Sequence, residues 1–297
     1  MHVLITGGTG FIGSHLVKVL LSRGDTVTVL TRDKARAVSK LDKSVECVQM
    51  LEAMAKSPDA IVNLAGARLD GKRWTEKYKE ILIQSRLNIT KQLIEYLRKT
   101  HQKPKVLISG SAIGYYGPQG DMPLREDSKP NLCFTHDLCR LWEQNALEAE
   151  KEGVRVCLLR TGIVLGKGGA LRKLMPAFQI GLGGPLGSGK QWFSWVHIED
   201  LVGMIFFLID NATCRGPFNA TSTNPVTNAE FSQTLASILQ RPAVLRMPAK
   251  LLSLLFGQMA EEILLKGQRV VPSKFEQAGF KLKYPELKGA LENILVK

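Results

Sequence analysis

The sequence predicts an α/β fold: a doubly wound parallel sheet carrying a smaller, mainly helical C-terminal lobe. Three observations point to it. Short runs rich in Val, Ile and Leu alternate with helix-like stretches through the first two thirds of the 297 residues. A glycine run, "MHVLITGGTGFIG", separates the first apolar run from the first helical one. After Asn228 the pattern becomes mainly helical, punctuated by Pro242, Pro248, Pro272 and Pro285. Strands covered on both faces read as continuous apolar runs, and right-handed helical crossovers make such a sheet parallel and doubly wound.

Strands are predicted at His2–Thr6, Thr26–Thr31, Val45–Met50, Ala60–Leu64, Lys105–Ser109 and Arg155–Arg160, each too short and too Val/Ile/Leu-rich to favour a helix. Helices are predicted over Phe11–Arg23, Thr75–Thr100 and Thr135–Glu152. Glycine-rich loops at Gly166–Gly169 and Gly181–Gly189 flank a short helix, Leu171–Ile180. Residues 1–165, with 195–228 returning to them, are expected to form the nucleotide-binding domain. Residues 166–194 and 229–297 are expected to form the substrate or lid lobe, over the carboxyl ends of the strands where open α/β sheets bind ligands.

Composition narrows the class. Hydrophobic residues make up 44% and charged residues 23%, as in ordinary globular proteins. No apolar run approaches the ~20 residues needed to span a bilayer, so no membrane partner is expected. The N-terminus runs straight into the glycine loop without the layout of a signal peptide, and a cytoplasmic protein is expected. The five cysteines (Cys47, Cys133, Cys139, Cys157 and Cys214) form no C-x-x-C pair. Neither a disulfide framework nor a metal site is expected. A net charge of +13 invites an anionic ligand, but the cations are scattered and show no aromatic-basic surface for nucleic acid. A solvated basic surface, with a few charges serving a phosphorylated cofactor, accounts for it.

The glycines fit both G-x-G-x-x-G (Gly8, Gly10, Gly13) and G-x-x-G-x-x-G (Gly7, Gly10, Gly13) spacing, between a strand and an amphipathic helix. They allow a tight turn, and the helix N-terminus then offers free N–H groups to a pyrophosphate. This is the dinucleotide cradle of a Rossmann domain; an ordinary structural turn is the alternative. NAD sites place an acidic residue at the end of the second strand, for the ribose 2′-hydroxyl. That position holds Thr31, followed by Arg32, and Asp33 comes one place late. A hydroxyl and a guanidinium suit a 2′-phosphate, so NADP(H) is the expected cofactor. Arg36 could add charge, and an exposed loop residue is the other reading of Arg32.

The chain resembles an extended short-chain dehydrogenase/reductase of the epimerase/dehydratase group. The motifs are "GGTGFIG", "NLAG" (Asn63–Gly66), "SGSAIGYYG" (Ser109–Gly117) and "WVHIEDLVGMI" (Trp195–Ile205). More narrowly, "RWT", Ser85–Arg86 and the C-terminal "PELKGAL" resemble an uncharacterised subfamily of epimerase family proteins. The resemblance implies cofactor contacts at Gly7, Thr9, Gly10, Phe11, Ile12 and Gly13, and at Leu64, Ala65 and Gly66. Arg86 and Arg160 are candidates for cofactor or substrate phosphates, with structural ion pairs as the alternative. The two long helices correspond by resemblance to those that pair in extended-family dimers, so a second copy of the chain is a candidate partner. Leu138, Leu141, Trp142 and Ala146, at helical spacing on the second of them, could face either a core or that partner.

The family's chemistry uses a Tyr and a Lys four residues apart on one helical face, with an upstream Ser or Thr orienting the substrate oxygen. Ser111 fits the upstream role, or else satisfies local backbone. Counting back from Glu143 puts Thr135 and Cys139 at the Tyr and Lys positions, so the dyad is missing. Tyr115 and Tyr116, just after Ser111, are candidate proton donors; packing beneath the lid loop is their other reading. His136 lies on the right helix, Cys139 reads as a small core filler, and His197 as a loop-ordering residue.

Two functions follow. One is an NADP(H)-dependent oxidoreductase moving hydride between the nicotinamide and an unknown small-molecule carbonyl or alcohol, with mobile glycine loops closing over it. The other is a non-catalytic NADP(H)-binding or redox-sensing protein, which retained cofactor motifs beside a lost dyad also fit.

Overall fold

In the first strand, β1 (His2–Thr6), every residue is buried. That is possible only in the interior of a sheet covered on both faces. The side chains divide by parity, as the two-residue strand period requires. Val3 and Ile5 join one core, and Leu4 joins another on the opposite face. A computed structural model describes residues 1–296 and shows the rest of this arrangement.

In chain order, α1 (Phe11–Ser22), β2 (Thr26–Leu30), α2 (Lys34–Lys40), β3 (Glu46–Val48), β4 (Ala60–Asn63), α3 (Glu76–Lys99), β5 (Val106–Ala112), α4 (Phe134–Leu147) and β6 (Arg155–Thr161) form the first two thirds. Then follow β7 (Ile163–Leu165), α5 (Gly169–Gln179), β8 (Trp192–Phe193), β9 (Trp195–His197), α6 (Ile198–Asp210), β10 (Gly216–Ala220) and β11 (Val226–Thr227). The chain ends in α7 (Asn228–Ile238), α8 (Ala249–Phe256), a π-helical turn at Ala260–Leu264, α9 (Ser273–Gln277) and α10 (Leu287–Leu295).

Seven strands form one parallel sheet in the order β10-β6-β5-β4-β1-β2-β3. This is the doubly wound architecture. Leu16 and Leu20 of α1 and Leu201 and Ile205 of α6 cover one face. Leu93 and Leu97 of α3 and Ala146 of α4 cover the other. A third core, with Phe178, Trp195, Phe231 and Leu291, holds the smaller lobe.

Differences from the predicted elements have local causes. The long third helix is bounded by Thr75, whose side chain accepts the Tyr78 N–H, and by Thr100. The predicted Thr135–Glu152 helix divides at Leu147, where the chain tightens into a 3-10 turn that ends at Gly153 (φ 77°). Last turns commonly tighten in this way. Strand β5 runs three residues beyond the predicted Ser109, because Gly110, Ser111 and Ala112 pair with Leu159, Arg160 and Thr161 of β6. The polar "SGS" concealed that extension. Helix α2 went unpredicted, although Asp33 caps it by accepting the Arg36 N–H at 3.0 Å.

The glycine loops, expected to form a mobile cover, are used for close packing. A Cβ on Gly168 would lie 2.5 Å from the Phe11 ring, and Gly166 and Gly169 face the same ring.

The segment Trp195–Ile205 joins the lobe to the sheet. Asp200 accepts the backbone N–H groups of Lys283 and Tyr284 at 2.6 and 2.9 Å. His197 caps α6, its Nδ1 accepting the Glu199 N–H at 3.2 Å while its ring lies 4.0 Å from that of Tyr284. Burial, with repulsion from Lys283 and His15, outweighs the Glu199 carboxylate, which favours the charged ring, and brings His197 down from 6.5 to about 4. Between those pH values only the unfolded chain binds this proton. The stability this neutral ring contributes is therefore complete above pH 6.5 and lost as pH falls towards 4. Asn at this position keeps a cap and does not titrate. We expect His197→Asn to lose less Tm than the parent between pH 6.5 and 4 in thermal melts; parallel curves would refute this.

Candidate functional site

The glycine turn is built by exclusion of side chains. Gly7 has φ 72°, and a Cβ there would stand 2.9 Å from the Leu64 carbonyl; a Cβ on Gly13 would overlap the Gly7 carbonyl. Gly10 donates its N–H to Gly7 O at 2.9 Å and begins α1 without any side-chain cap or acidic first-turn residue. The first-turn N–H groups at Phe11, Ile12 and Gly13 therefore face outward beside Thr9, where an anion would be held. Across the turn, Thr6 Oγ1 donates to Asn63 Oδ1 (2.6 Å) and accepts the Ala65 N–H (3.1 Å). These bonds set Leu64, Ala65 and Gly66 against the glycine loop.

Arg86 stands elsewhere than expected. It is buried, donates to the carbonyls of Leu82 (2.8 Å) and Ala67 (3.2 Å), and lies over the Trp142 ring at 5.0 Å. A Cβ on Gly66 would meet its guanidinium at 2.9 Å. Arg86 thus supports the Gly66–Ala67 backbone from beneath, with two backbone carbonyls as its hydrogen-bond acceptors.

At the end of β2, Thr31 Oγ1 is bonded to the backbone of Asp33. The Asp33 carboxylate is committed to capping α2. Arg32 is exposed, and its carbonyl accepts from Gln49 Nε2 at 3.1 Å. The group beside this strand end is therefore a guanidinium, and the acid next to it already has a donor.

Where β5, β6 and α4 meet, a buried polar network surrounds Ser111. Its hydroxyl donates to Glu143 Oε1 at 2.6 Å. Glu143 receives a bidentate pair from Arg160, Nε at 2.8 Å and Nη2 at 2.9 Å. The third nitrogen, Nη1, donates to the Tyr116 hydroxyl and the Glu126 carbonyl. All three guanidinium nitrogens are satisfied within the protein, so Arg160 is a structural ion pair rather than a phosphate ligand. Burial alone would lower its pKa, but the Glu143 carboxylate outweighs that and raises it.

Tyr116 is likewise not at a ligand-facing surface. It is fully buried, donates to Asn219 Oδ1 at 2.7 Å, and burial pushes it up to about 12. A phenol held there does not exchange protons with a substrate near neutral pH. Tyr115 is half-buried, its ring 3.4 Å from the Arg160 guanidinium carbon and edge-on to buried His136. His136 Nδ1 is bonded to the Tyr115 carbonyl at 2.6 Å.

Thr135 and Cys139 lie one turn apart on α4. Thr135 faces Gly114; Cys139 contacts Ser111 and Ala112. Cys139 is fully enclosed, and desolvation together with Glu143 pushes its thiol up to about 11, so it is neutral. The Thr135 N–H donates to Glu262 Oε2 at 2.9 Å, and Glu262 Oε1 accepts from Gln258 at 2.7 Å.

Two of these carboxylates escaped the sequence reading as site residues. Glu143 could have been found, since it follows Cys139 by four residues and Thr135 by eight, on one helical face. Glu262 comes from the distant π-helical turn, and no local spacing announces it.

An uncapped helix over a glycine turn, with a polar residue buried at the end of the fifth strand, defines a Rossmann-type nucleotide-binding protein. Comparison with known proteins narrows this. Residues 3–220 match the NAD dependent epimerase/dehydratase family, and residues 247–294 match a domain of unknown function, DUF1731. The chain belongs to the NAD-dependent epimerase/dehydratase family. It is 38% identical to an Arabidopsis thaliana chloroplastic "epimerase family protein SDR39U1 homolog", over 99% of this chain and 87% of that one. It is 37% identical to the Bacillus subtilis epimerase family protein YfhF, over 99% and 98%. The crystal structure of human epimerase family protein SDR39U1 with NADPH superposes at a TM-score of 0.92, with 34% identity and all of both chains covered. Glu262 lies in the DUF1731 segment, which therefore supplies one carboxylate to the start of α4.

Removing one partner of a buried ion pair leaves an uncompensated charge. Arg160→Leu should therefore destabilise the protein by about 3–5 kcal/mol in urea unfolding. Glu143→Leu with Arg160→Leu should recover part of that loss. Equal destabilisation by the single and double variants would show that the pair is not the cause.

Proposed function

We propose that this protein binds NADP(H) and moves hydride between it and a small carbonyl or alcohol substrate, in the cytoplasm. The observation that carries the chemistry is Ser111, held at the carboxyl end of β5 by its 2.6 Å bond to Glu143. The cradle at Gly7, Gly10 and Gly13 fits a pyrophosphate, because side chains are excluded and the α1 N–H groups are free of caps. Thr31 and Arg32 suit a 2′-phosphate, since Asp33 is engaged by α2.

Bound NADP(H) would supply or accept the hydride. Ser111 has its own proton held by Glu143, so its lone pairs remain to accept a hydrogen bond from a substrate hydroxyl and orient it. Tyr115, which solvent reaches in part, is assigned the proton exchange. Five free cysteines, of which four are buried, accord with a reducing compartment. A non-catalytic NADP(H)-binding role has its own support. Cys139 is a neutral thiol where the resemblance places the family's lysine, so that position supplies no cation to Thr135.

The cofactor assignment is tested by titrating NADPH and NADH and following nicotinamide fluorescence. We expect NADPH to bind at least tenfold more tightly, and Arg32→Ala to remove most of that preference, given about 1.5–3 kcal/mol for a charged hydrogen bond. Equal affinities, or tighter NADH, overturn it.

Catalysis is tested on a panel of carbonyls and alcohols. Turnover that Ser111→Ala lowers by about 10²-fold or more, with NADPH affinity kept, supports the oxidoreductase. No oxidation of NADPH by any member selects the non-catalytic reading.

A further inference from the structure

We propose that residues 241–256 form a docking surface for an anionic lipid bilayer, with α8 lying on the membrane rather than across it. Almost the whole segment is exposed. Val244 is 77%, Leu254 69% and Leu255 53% accessible, beside exposed Leu245, Leu251 and Phe256. On α8 the exposed leucines at 251, 254 and 255 share one helical face, while buried Leu252 turns inward.

The patch continues onto a second segment. Exposed Ile180 and Leu182 flank Gly181, which lies against Pro242, and a Leu186–Met247 bridge ties the two segments together. Single exposed leucines are ordinary on a soluble protein, but a contiguous group drawn from two segments is not.

The charge beside the exposed leucines is mostly positive. The carboxylate that reaches α8, Glu261, accepts the Ser253 hydroxyl, and Ser253 lies on the side of the helix away from Leu251, Leu254 and Leu255. Arg241, Arg246 and Lys250 are exposed among the apolar side chains, and Arg73 reaches the rim, donating to the Leu254 carbonyl at 3.2 Å. No Asp or Glu occurs between Phe231 and Ala260, within a chain of net charge +13. Leu and Phe on one side of a short helix with Arg and Lys beside them suit the boundary between acyl chains and anionic headgroups. A second copy of this chain would bring the same cations against each other, which disfavours self-association through this face. No helix among the described residues is long and apolar enough to cross a membrane. The hydropathy argument against a membrane partner applies to a span and leaves a surface contact open.

The test is sedimentation of the full-length protein with phosphatidylglycerol-rich vesicles and with pure phosphatidylcholine vesicles. Binding is expected to the anionic vesicles alone and to weaken as salt rises. Each cation near an anionic surface is worth roughly fivefold in partitioning, so Arg246→Glu with Lys250→Glu should cut binding at least about 25-fold. Leu254→Ser with Leu255→Ser should cut it about tenfold or more. Lys43→Glu with Lys99→Glu, on other surfaces, should leave most of it. NADPH affinity reports that each variant is folded. The proposal is overturned if anionic vesicles carry down no protein, or if the Lys43/Lys99 control loses as much as the patch variants. It is also overturned if light scattering finds a dimer that the leucine variant dissociates, since the occupant is then a second copy.

Discussion

Taking the Arg160 guanidinium and the Glu143 carboxylate out of water costs several kcal/mol per ion, and only close geometry with full hydrogen bonding recovers it. Here four of the arginine's five N–H donors are engaged, with two bonds to Glu143, one to the Tyr116 hydroxyl and one to the Glu126 carbonyl. The pair therefore dictates where several elements stand. It sets α4 against β6, holds Ser111 at the end of β5, and fixes Tyr115 and Tyr116 on the turn that follows. Through Tyr116 and Asn219 it reaches the edge strand β10, and Glu126 joins the same edge by accepting the Asn219 N–H at 3.0 Å.

The glycine cradle depends on a constraint of the opposite kind. Nothing charged holds it; absent Cβ atoms at Gly7 and Gly13 let one turn of backbone approach another, and the Thr6–Asn63 bond fixes the neighbouring strand end. The two halves of the site meet along β4 and β5, adjacent strands of the sheet. Arg86 couples them further, since it supports Gly66 on one side and lies over Trp142, the neighbour of Glu143 on α4, on the other.

The sheet was legible because its strands are buried on both faces and so have continuous apolar sequences; β1, β2, β4 and β6 lie within a residue of their predicted limits. Burial on one face only, or polar residues in a strand, defeated the same reading, as "SGS" did at the end of β5. The cofactor loop was legible because its requirement is steric and local: where no Cβ fits, glycine must stand in the sequence. The place of Thr31 and Arg32, at the end of β2, was readable for a related reason, since a strand end is marked by its own residues.

What the arginines and tyrosines do was decided by tertiary structure. Arg32, Arg86 and Arg160 are chemically identical in the sequence, yet one is exposed, one braces a loop and one neutralises a buried acid. Tyr115 and Tyr116 are neighbours, but successive side chains leave the backbone in different directions, and only the second is sealed inside. Glu262 reaches α4 from a segment 127 residues away. The sequence by itself determined what depends on backbone sterics and apolar periodicity, which act over a few residues. The partners of charged side chains depend on which distant segments share the low-dielectric interior, and that is set only when the chain has folded.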